Sequence, residues 1–364
     1  MTTPIKVVIV DDSAFMRKSL SMMLESDPLI KVVATARDGK EGIEKIREYK
    51  PDIVTLDVEM PVMDGLSALA VIMKEMPLPV LMVSSITTDG ARATIDALNL
   101  GAVDFISKEL SFVSVNIVKI KDELITKVRQ IVHSRSAQFR LQRIRASQSR
   151  MKGPIDVPVR REPRITISSR ADLQAVVIGV STGGPFALLQ IIPKLPANFP
   201  LGIAIVQHMP PKFTKSLAER LNGLSQIEVR EAQEGDKMEA GVVLIAAGGQ
   251  HLTFGRDGSS VRVKTPLEPA TTLYRPCADI MMNSAVDTFR GPLLGLIMTG
   301  MGKDGLEGLR SIKKKGGTVI AQDEDTCVVY GMPKAAVDEG LADAVLALED
   351  IPAALVMATK GDRR

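Results

Sequence analysis

The chain has 364 residues, room for two or three domains of roughly 100–200 residues each. A hydrophobic share of 45% beside 24% charged residues is that of a globular protein and excludes a disordered chain, and no uncharged apolar run approaches the ~18 residues of a membrane-spanning helix. The net charge is +3, yet Ser134 to Asp172 alone hold ten Lys/Arg and three Asp/Glu, so the rest of the chain is about −4 and the basic character belongs to one segment.

From the N-terminus, Met1-Thr2-Thr3-Pro4-Ile5-Lys6 runs into a strand-like segment with no secretory pattern, which predicts a cytoplasmic protein. Ile5-Val10 is a short apolar run suited to a strand buried on both faces. Val32-Ala36, Ile53-Leu56, Val80-Ser84 and Val103-Ser107 are four further strands of this kind. Helices are predicted between them: one on Met16, Leu20, Met23 and Leu24, then Gly39-Tyr49, Leu66-Met76 and Ala91-Leu100, with Ile117-Val132 closing the unit. Five strands alternating with five helices imply an open parallel sheet covered on both faces. Ligands of such sheets sit beyond the carboxyl ends of the strands, where Asp11, Asp12, Asp57, Ser84 and Lys108 all fall.

Residues 134–172 are rich in Arg, Ser and Gln, with prolines at 154, 158 and 163, and read as a basic interdomain linker between a first domain (1–133) and a second (173–364). No helix-turn-helix, zinc finger or interleaved aromatics accompanies the charge, and aromatics are only 3% of the chain, so no nucleic-acid partner is expected. A second α/β pattern follows. Ala175-Val180, Leu201-Gln207, Val242-Ala247, Leu293-Met298, Val319-Ala321 and Val328-Val329 are predicted strands, and Leu252-Phe254 with Val261-Lys264 a hairpin around Asp257-Gly258. Phe186-Ile192, Phe213-Leu221 and Gly305-Lys315 are predicted helices.

Three carboxylates at one point repel each other and call for a hard divalent cation, usually Mg²⁺. Asp11, Asp12 and Asp57 would supply its oxygens, and Asp57 would also be the nucleophile toward a phosphoryl donor. Lys108 neutralises phosphoryl oxygens and Ser84 donates to them in this scheme. A lone Asp at a strand end is more often a helix cap, and a lone Lys a surface charge; four matching positions in one sheet are rare by chance. On Val10-Asp11-Asp12-Ser13, Leu56-Asp57 through Asp64-Gly65, Ser84-Ser85 and Phe105-Ile106-Ser107-Lys108, the stretch resembles the receiver domains of response regulators. The resemblance implies a flavodoxin-like doubly wound fold with five parallel strands, Mg²⁺-dependent phosphorylation of Asp57 by a partner histidine kinase, and switch roles for Ser84, Phe105 and Lys108. Glu109 stands where the family usually has Pro, so no cis peptide is expected there.

Gly179-Val180-Ser181-Thr182-Gly183-Gly184, between a strand and a helix, fits a nucleophile on a tight turn with free helix N–H groups for an oxyanion. A phosphate loop is the competing reading, but neither a dinucleotide nor a Walker pattern is present. Among three histidines, His208 follows the next strand and shares Ser181's sheet edge. His133 reads as a surface residue, and His251 as a substrate contact or a surface residue. Asp304, between a strand and a helix, is a triad carboxylate or a helix cap. Cys277 and Cys327 have no metal spacing and read as reduced thiols; no His follows Cys277 to serve it as a nucleophile.

Ser181-Thr182-Gly183-Gly184, Gln207-His208-Met209-Pro210-Pro211, Thr299 through Gly305 and Gly331-Met332-Pro333 resemble the CheB-type chemotaxis methylesterases, and the order receiver, linker, esterase agrees. The resemblance implies an α/β esterase domain with a mostly parallel sheet that hydrolyses glutamate 5-methyl esters on chemoreceptors and deamidates receptor glutamines without a cofactor. It makes Ser181 the nucleophile, His208 the base and acid, Asp304 the group that orients it, and the Thr182 and Met301 N–H groups the oxyanion donors. It also implies that the unphosphorylated receiver limits access to the esterase. A non-enzymatic adaptor, a DNA-binding regulator and an esterase acting outside chemotaxis are the alternatives.

Overall fold

The computed structural model describes residues 3–85, 87–108, 116–134 and 167–359. The chain divides into two units, Met1–Val159 and Arg160–Arg364. In the first, β1 (Ile5–Val10), β2 (Ile30–Ala36), β3 (Ile53–Asp57), β4 (Val80–Ser84) and β5 (Asp104–Ser107) form one sheet in the order β2-β1-β3-β4-β5. Every pairing is parallel. Every residue of β3 and β4 is buried, as a sheet covered on both faces requires, and this is why these segments read as continuous apolar runs. The helices are α1 (Ala14–Leu24), α2 (Gly39–Tyr49), α3 (Gly65–Glu75), α4 (Thr88–Leu100) and α5 (Asn116–His133). Ser13, Asp38, Asp64 and Thr87 start the first four, each side chain accepting from the N–H three residues on. Such a cap is worth about 1 kcal/mol. Strand order reverses between β1 and β3, and the crevice there lies beside Asp11 and Asp57. This is the expected flavodoxin-like arrangement.

The second unit holds β6 (Ala175–Val180), β7 (Gly202–Gln207), β8 (Glu228–Glu231), β9 (Val242–Ile245), the hairpin β10 (Thr253–Asp257) and β11 (Ser260–Lys264), then β12 (Leu294–Ile297), β13 (Thr318–Gln322) and β14 (Ala344–Leu346). Seven strands make one parallel sheet, ordered β14-β13-β12-β6-β7-β9-β8; β10 and β11 pair separately and antiparallel. The helices are α6 (Gly184–Ile191), α7 (Phe213–Leu224), α8 (Ala278–Thr288), α9 (Leu306–Lys314), α10 (Met332–Asp338) and α11 (Ile351–Thr359). Val177, Leu244, Met282 and Leu309 belong to the core between sheet and helices. Each such side chain contributes about 1.5–3 kcal/mol on burial. The order reverses between β6 and β12, so the carboxyl ends of β6, β7 and β12 share the crevice.

Several expectations shift. Val328 and Val329 form no strand. The Val329 N–H instead donates to Thr299 Oγ1 at 3.0 Å, and the Val329 carbonyl lies 3.3 Å from the same hydroxyl. The hairpin turns on Gly258-Ser259, one residue later than expected, because Gly258 takes the positive φ of 59° and Asp257 still pairs with Ser260. Strands β8 and β14 and helices α8, α10 and α11 come from the structure alone. The proposed linker lies outside the described residues from 135 to 166, as does Glu109.

Candidate active site

The register Val180↔Gln207 between β6 and β7 makes Ser181 and His208 the next residues past two neighbouring strand ends. His208 N–H donates to Val180 O at 3.2 Å, which fixes the two chains side by side. Beyond Ser181 the backbone turns sharply through Gly183, at φ 76°, into α6. A Cβ on Gly184 would run into the Gln207 side chain. That side chain is placed for a reason: its Nε2 donates to Ser181 O at 3.0 Å and His208 O at 3.2 Å, tying the two loops together.

From the other side, β12 leads into Thr299-Gly300-Met301-Gly302. Ser181 N–H donates to Thr299 O at 3.0 Å, and Thr299 Oγ1 donates to Thr182 O at 2.9 Å. Gly300 O accepts from the N–H groups of Gly331 and Met332 at 3.1 and 2.9 Å. The Gly331-Met332-Pro333 motif thus supports the loop that carries Met301. Among the described residues, the N–H groups of Thr182 and Met301 donate to nothing, so two neighbouring loops each leave a donor free. Thr299 is 1% exposed and is the joint of this arrangement. Replacing it with the isosteric Val leaves a buried N–H of Val329 and carbonyl of Thr182 unpaired. Thr299→Val should therefore lower stability by about 1–3 kcal/mol, read from the urea unfolding midpoint; an unchanged midpoint would remove Thr299 from this role.

His208 Nε2 lies 2.7 Å from Asp304 Oδ2. Asp304 lies within hydrogen-bond reach of His208, and it caps a helix, though not the one that follows it in the chain. It holds His208 and also accepts from the first N–H groups of a helix other than its own: Ala278 N–H reaches Oδ2 at 2.7 Å and Asp279 N–H reaches Oδ1 at 3.0 Å, both at the start of α8. The Cys277 thiol adds a third donor, 3.1 Å from Oδ1. Burial alone would raise the Asp304 carboxyl, but the His208 hydrogen bond and the two α8 N–H groups outweigh it and hold the group well below the usual carboxylate range. An ionised Asp304 fixes the proton of neutral His208 on Nε2. The lone pair is then on Nδ1, which is buried and among the described residues meets no hydrogen-bond partner. The Ser181 hydroxyl likewise makes no hydrogen bond among the described residues; nucleophile–base contacts commonly tighten only with substrate bound.

Tyr274, not singled out from the sequence, stacks on the His208 ring with centroids 4.1 Å apart and planes 10° from parallel. No motif marks it; only the return of the β11–α8 loop puts it there. Burial, and then the Asp304 charge, push the Cys277 thiol up to about 12, which disfavours the thiolate a nucleophile needs. Asp279 sits beside Asp304, raised to about 6 by burial against the pull of the Gly308 N–H, with Asp304 adding to the rise. His251 is 1% exposed, which corrects its reading as a surface residue or substrate contact: it is packed under the loop that carries Tyr274.

In the first unit one oxygen each of Asp11, Asp12 and Asp57 lie within 4.8 Å of one another. Lys108 Nζ reaches Asp57 Oδ2 at 2.6 Å and Asp11 Oδ2 at 3.0 Å. Burial raises Asp57 to about 6 against the opposing pull of Lys108, with the charge of Asp11 adding to the rise. Three hard oxygen donors with one cation among them leave negative charge uncompensated, which fits a divalent ion such as Mg²⁺. Ser84 ends β4 and Phe105 lies within β5, both off this cluster. The Ser84 hydroxyl donates to Gly90 O at 3.1 Å, and Phe105 is buried. Phe105 is also clamped by Lys127 of α5, whose Nζ bonds Phe105 O at 2.8 Å and Asp104 at 2.9 Å.

The chain matches the CheB methylesterase family over residues 176–355 and the response regulator receiver domain over residues 7–116. It is 50% identical to a protein-glutamate methylesterase/protein-glutamine glutaminase of Oleidesulfovibrio alaskensis, across 97% of this chain and 99% of that one. It is 46% identical to the protein of that name from Pyrococcus abyssi, across 98% and 94%. The crystal structure of the Thermotoga maritima CheB methylesterase catalytic domain is 46% identical, covers 50% of this chain and 97% of that one, and has a TM-score of 0.49. No helix among the described residues is long and apolar enough to cross a membrane. The chain belongs to the CheB-type protein-glutamate methylesterase/protein-glutamine glutaminase family, with a response regulator receiver domain ahead of its esterase domain.

Proposed function

We propose that this chain hydrolyses glutamate 5-methyl esters on methyl-accepting chemotaxis receptors in the cytoplasm, deamidates receptor glutamines at the same site, and is activated when a histidine kinase phosphorylates Asp57. Residues 1–133 are then the receiver, 134–172 a linker and 173–364 the esterase. The observation that carries the reading is the His208–Asp304 pair, 2.7 Å apart beside Ser181, with Asp304 held ionised.

The chemistry follows from the free lone pair on His208 Nδ1. His208 takes the Ser181 proton as Oγ attacks the ester carbonyl. The oxyanion forms where the Thr182 and Met301 N–H groups donate, each worth roughly 2.7–4 kcal/mol in the transition state. Collapse breaks the C–O bond, and His208 returns its proton to the departing methoxide, which leaves as methanol. Water, deprotonated by His208, then attacks the acyl-enzyme; Ser181 regains its proton and a glutamate carboxylate is released. With glutamine the leaving group is ammonia. Tyr274 supports the imidazole from one face and limits its rotation.

Asp11, Asp12 and Asp57 would hold the receiver's Mg²⁺, which neutralises the incoming phosphoryl group. Lys108 takes over one phosphoryl oxygen, and Ser84 turns from Gly90 O to another. Inverting a 1:99 equilibrium to 99:1 takes about 5.5 kcal/mol, the scale against which these new contacts are measured. Asp57→Asn removes the acceptor. Wild-type methanol release from methylated receptor membranes should rise with a small-molecule phosphodonor and Mg²⁺, and the Asp57→Asn variant should not respond. An equal response of both would sink the regulatory part of the reading while leaving the esterase part intact.

A further inference from the structure

Residues 265–276 join β11 to α8 and carry Tyr274, the residue stacked on His208. The segment is pinned from beneath and across. Buried His251 donates its backbone N–H to Pro266 O at 2.8 Å. Its Nε2 lies 3.2 Å from Pro269 O and 3.3 Å from Thr272 Oγ1. Arg275 closes the loop, its Nη1 donating to Leu267 O at 2.9 Å, while its own carbonyl accepts from Gly249 N–H at 3.1 Å.

On this fixed backbone Leu267 is 59% and Leu273 71% exposed. They are the two most exposed large apolar side chains among the described residues of the second unit. One exposed leucine is ordinary and calls for no explanation. Two stand on one pinned loop, and Leu273 is the chain neighbour of Tyr274, which touches His208.

The geometry points to this loop as the surface that receives the substrate protein: apolar side chains flanking the esterified glutamate seat on Leu267 and Leu273. The inference rests on the methylesterase reading above and adds to it the chemistry of the partner. Ser181 is 9% exposed, so the ester must be delivered inward at the end of its side chain while the backbone that bears it stays at the rim. Rim contacts are therefore where a protein substrate is told from a free ester. An apolar contact there is made alike in ground and transition states, so it acts on KM and leaves kcat alone.

The test uses the full chain with phosphodonor and Mg²⁺, and methylated receptor membranes as substrate. Leu267→Ser with Leu273→Ser should raise KM for methanol release by about tenfold per leucine removed, with kcat within about twofold of wild type. The rate at which a small fluorophosphonate labels Ser181 should be unchanged, which shows that the site itself is intact. Met at both positions should restore KM. An unchanged KM overturns the inference. So does a faster rate without phosphodonor at constant KM, which would assign the leucines to contact with the receiver. A wild-type chain that labels but releases no methanol removes the substrate reading itself, and this surface with it.

Discussion

Ser181→Ala should abolish methanol release from methylated receptor membranes, with a fall in kcat on the order of 10⁴–10⁶. In the proposed mechanism the Ser181 hydroxyl is the nucleophile, and Ser181 and His208, with its unpartnered Nδ1, follow the neighbouring ends of β6 and β7. Removing it leaves oxyanion donors and binding in place, which sustain only a residual rate. Ala fits the same turn, because the positive φ is at Gly183 and not at position 181. Folding should therefore be untouched and KM nearly so. Stoichiometric labelling of wild type, but not the variant, by a fluorophosphonate would confirm the same atom. A variant that still releases methanol at about a tenth of the wild-type rate would exclude Ser181 as nucleophile, since loss of a triad nucleophile costs far more than that.

Asp304→Asn should cost about 10⁴ in kcat and stability besides. The amide presents one acceptor where the carboxylate presents two, while His208 Nε2–H, Ala278 N–H and Asp279 N–H all point at it. If the amide oxygen takes the Oδ1 place and keeps Asp279 N–H, its NH₂ group faces both Ala278 N–H and His208 Nε2, and it selects the tautomer with the proton on Nδ1, which cannot accept from Ser181. If it turns the oxygen to His208, a buried N–H of α8 is stranded, at about 1–3 kcal/mol. The stability loss has a pH signature. Asp304 has its folded pKa depressed, so its contribution is fully present above the unfolded carboxylate value near ~3.9 and is lost as pH falls through the folded value. Urea unfolding should show a gap between wild type and variant that is constant from neutral pH to about pH 5 and narrows below about pH 4. A gap independent of pH would mean that the carboxylate charge contributes nothing to the fold.

Where in each sheet the chemistry lies is written in the amino-acid order itself. Parallel α/β sheets bury their strands on both faces, so the strands read as apolar runs, and polar residues that break such a run fall at the carboxyl edge. Asp11, Asp57, Ser84, Ser181 and His208 were legible for that reason. Glycine spacing marked the turn after Ser181, since only Gly readily tolerates the φ found at Gly183. The two strands that local pattern missed are both at a rim of the sheet: β14 is three residues, and β8 is Glu-Val-Arg-Glu, where one-sided burial leaves little apolar signal.

Which groups act together, and in what state, comes from the three-dimensional fold. Position alone left Asp304 a cap or a triad member. The fold sets it against His208 Nε2 and against the start of α8, which reaches it from 25 and 26 residues away. The same fold assigns the free nitrogen of His208, brings Tyr274 onto its ring, and buries His251 under that loop. These are contacts between loops that share a sheet edge but no sequence period. Hydrophobic patterning specifies the strands that bring such loops together, while the contacts themselves follow from strand order and register, which a local pattern does not encode.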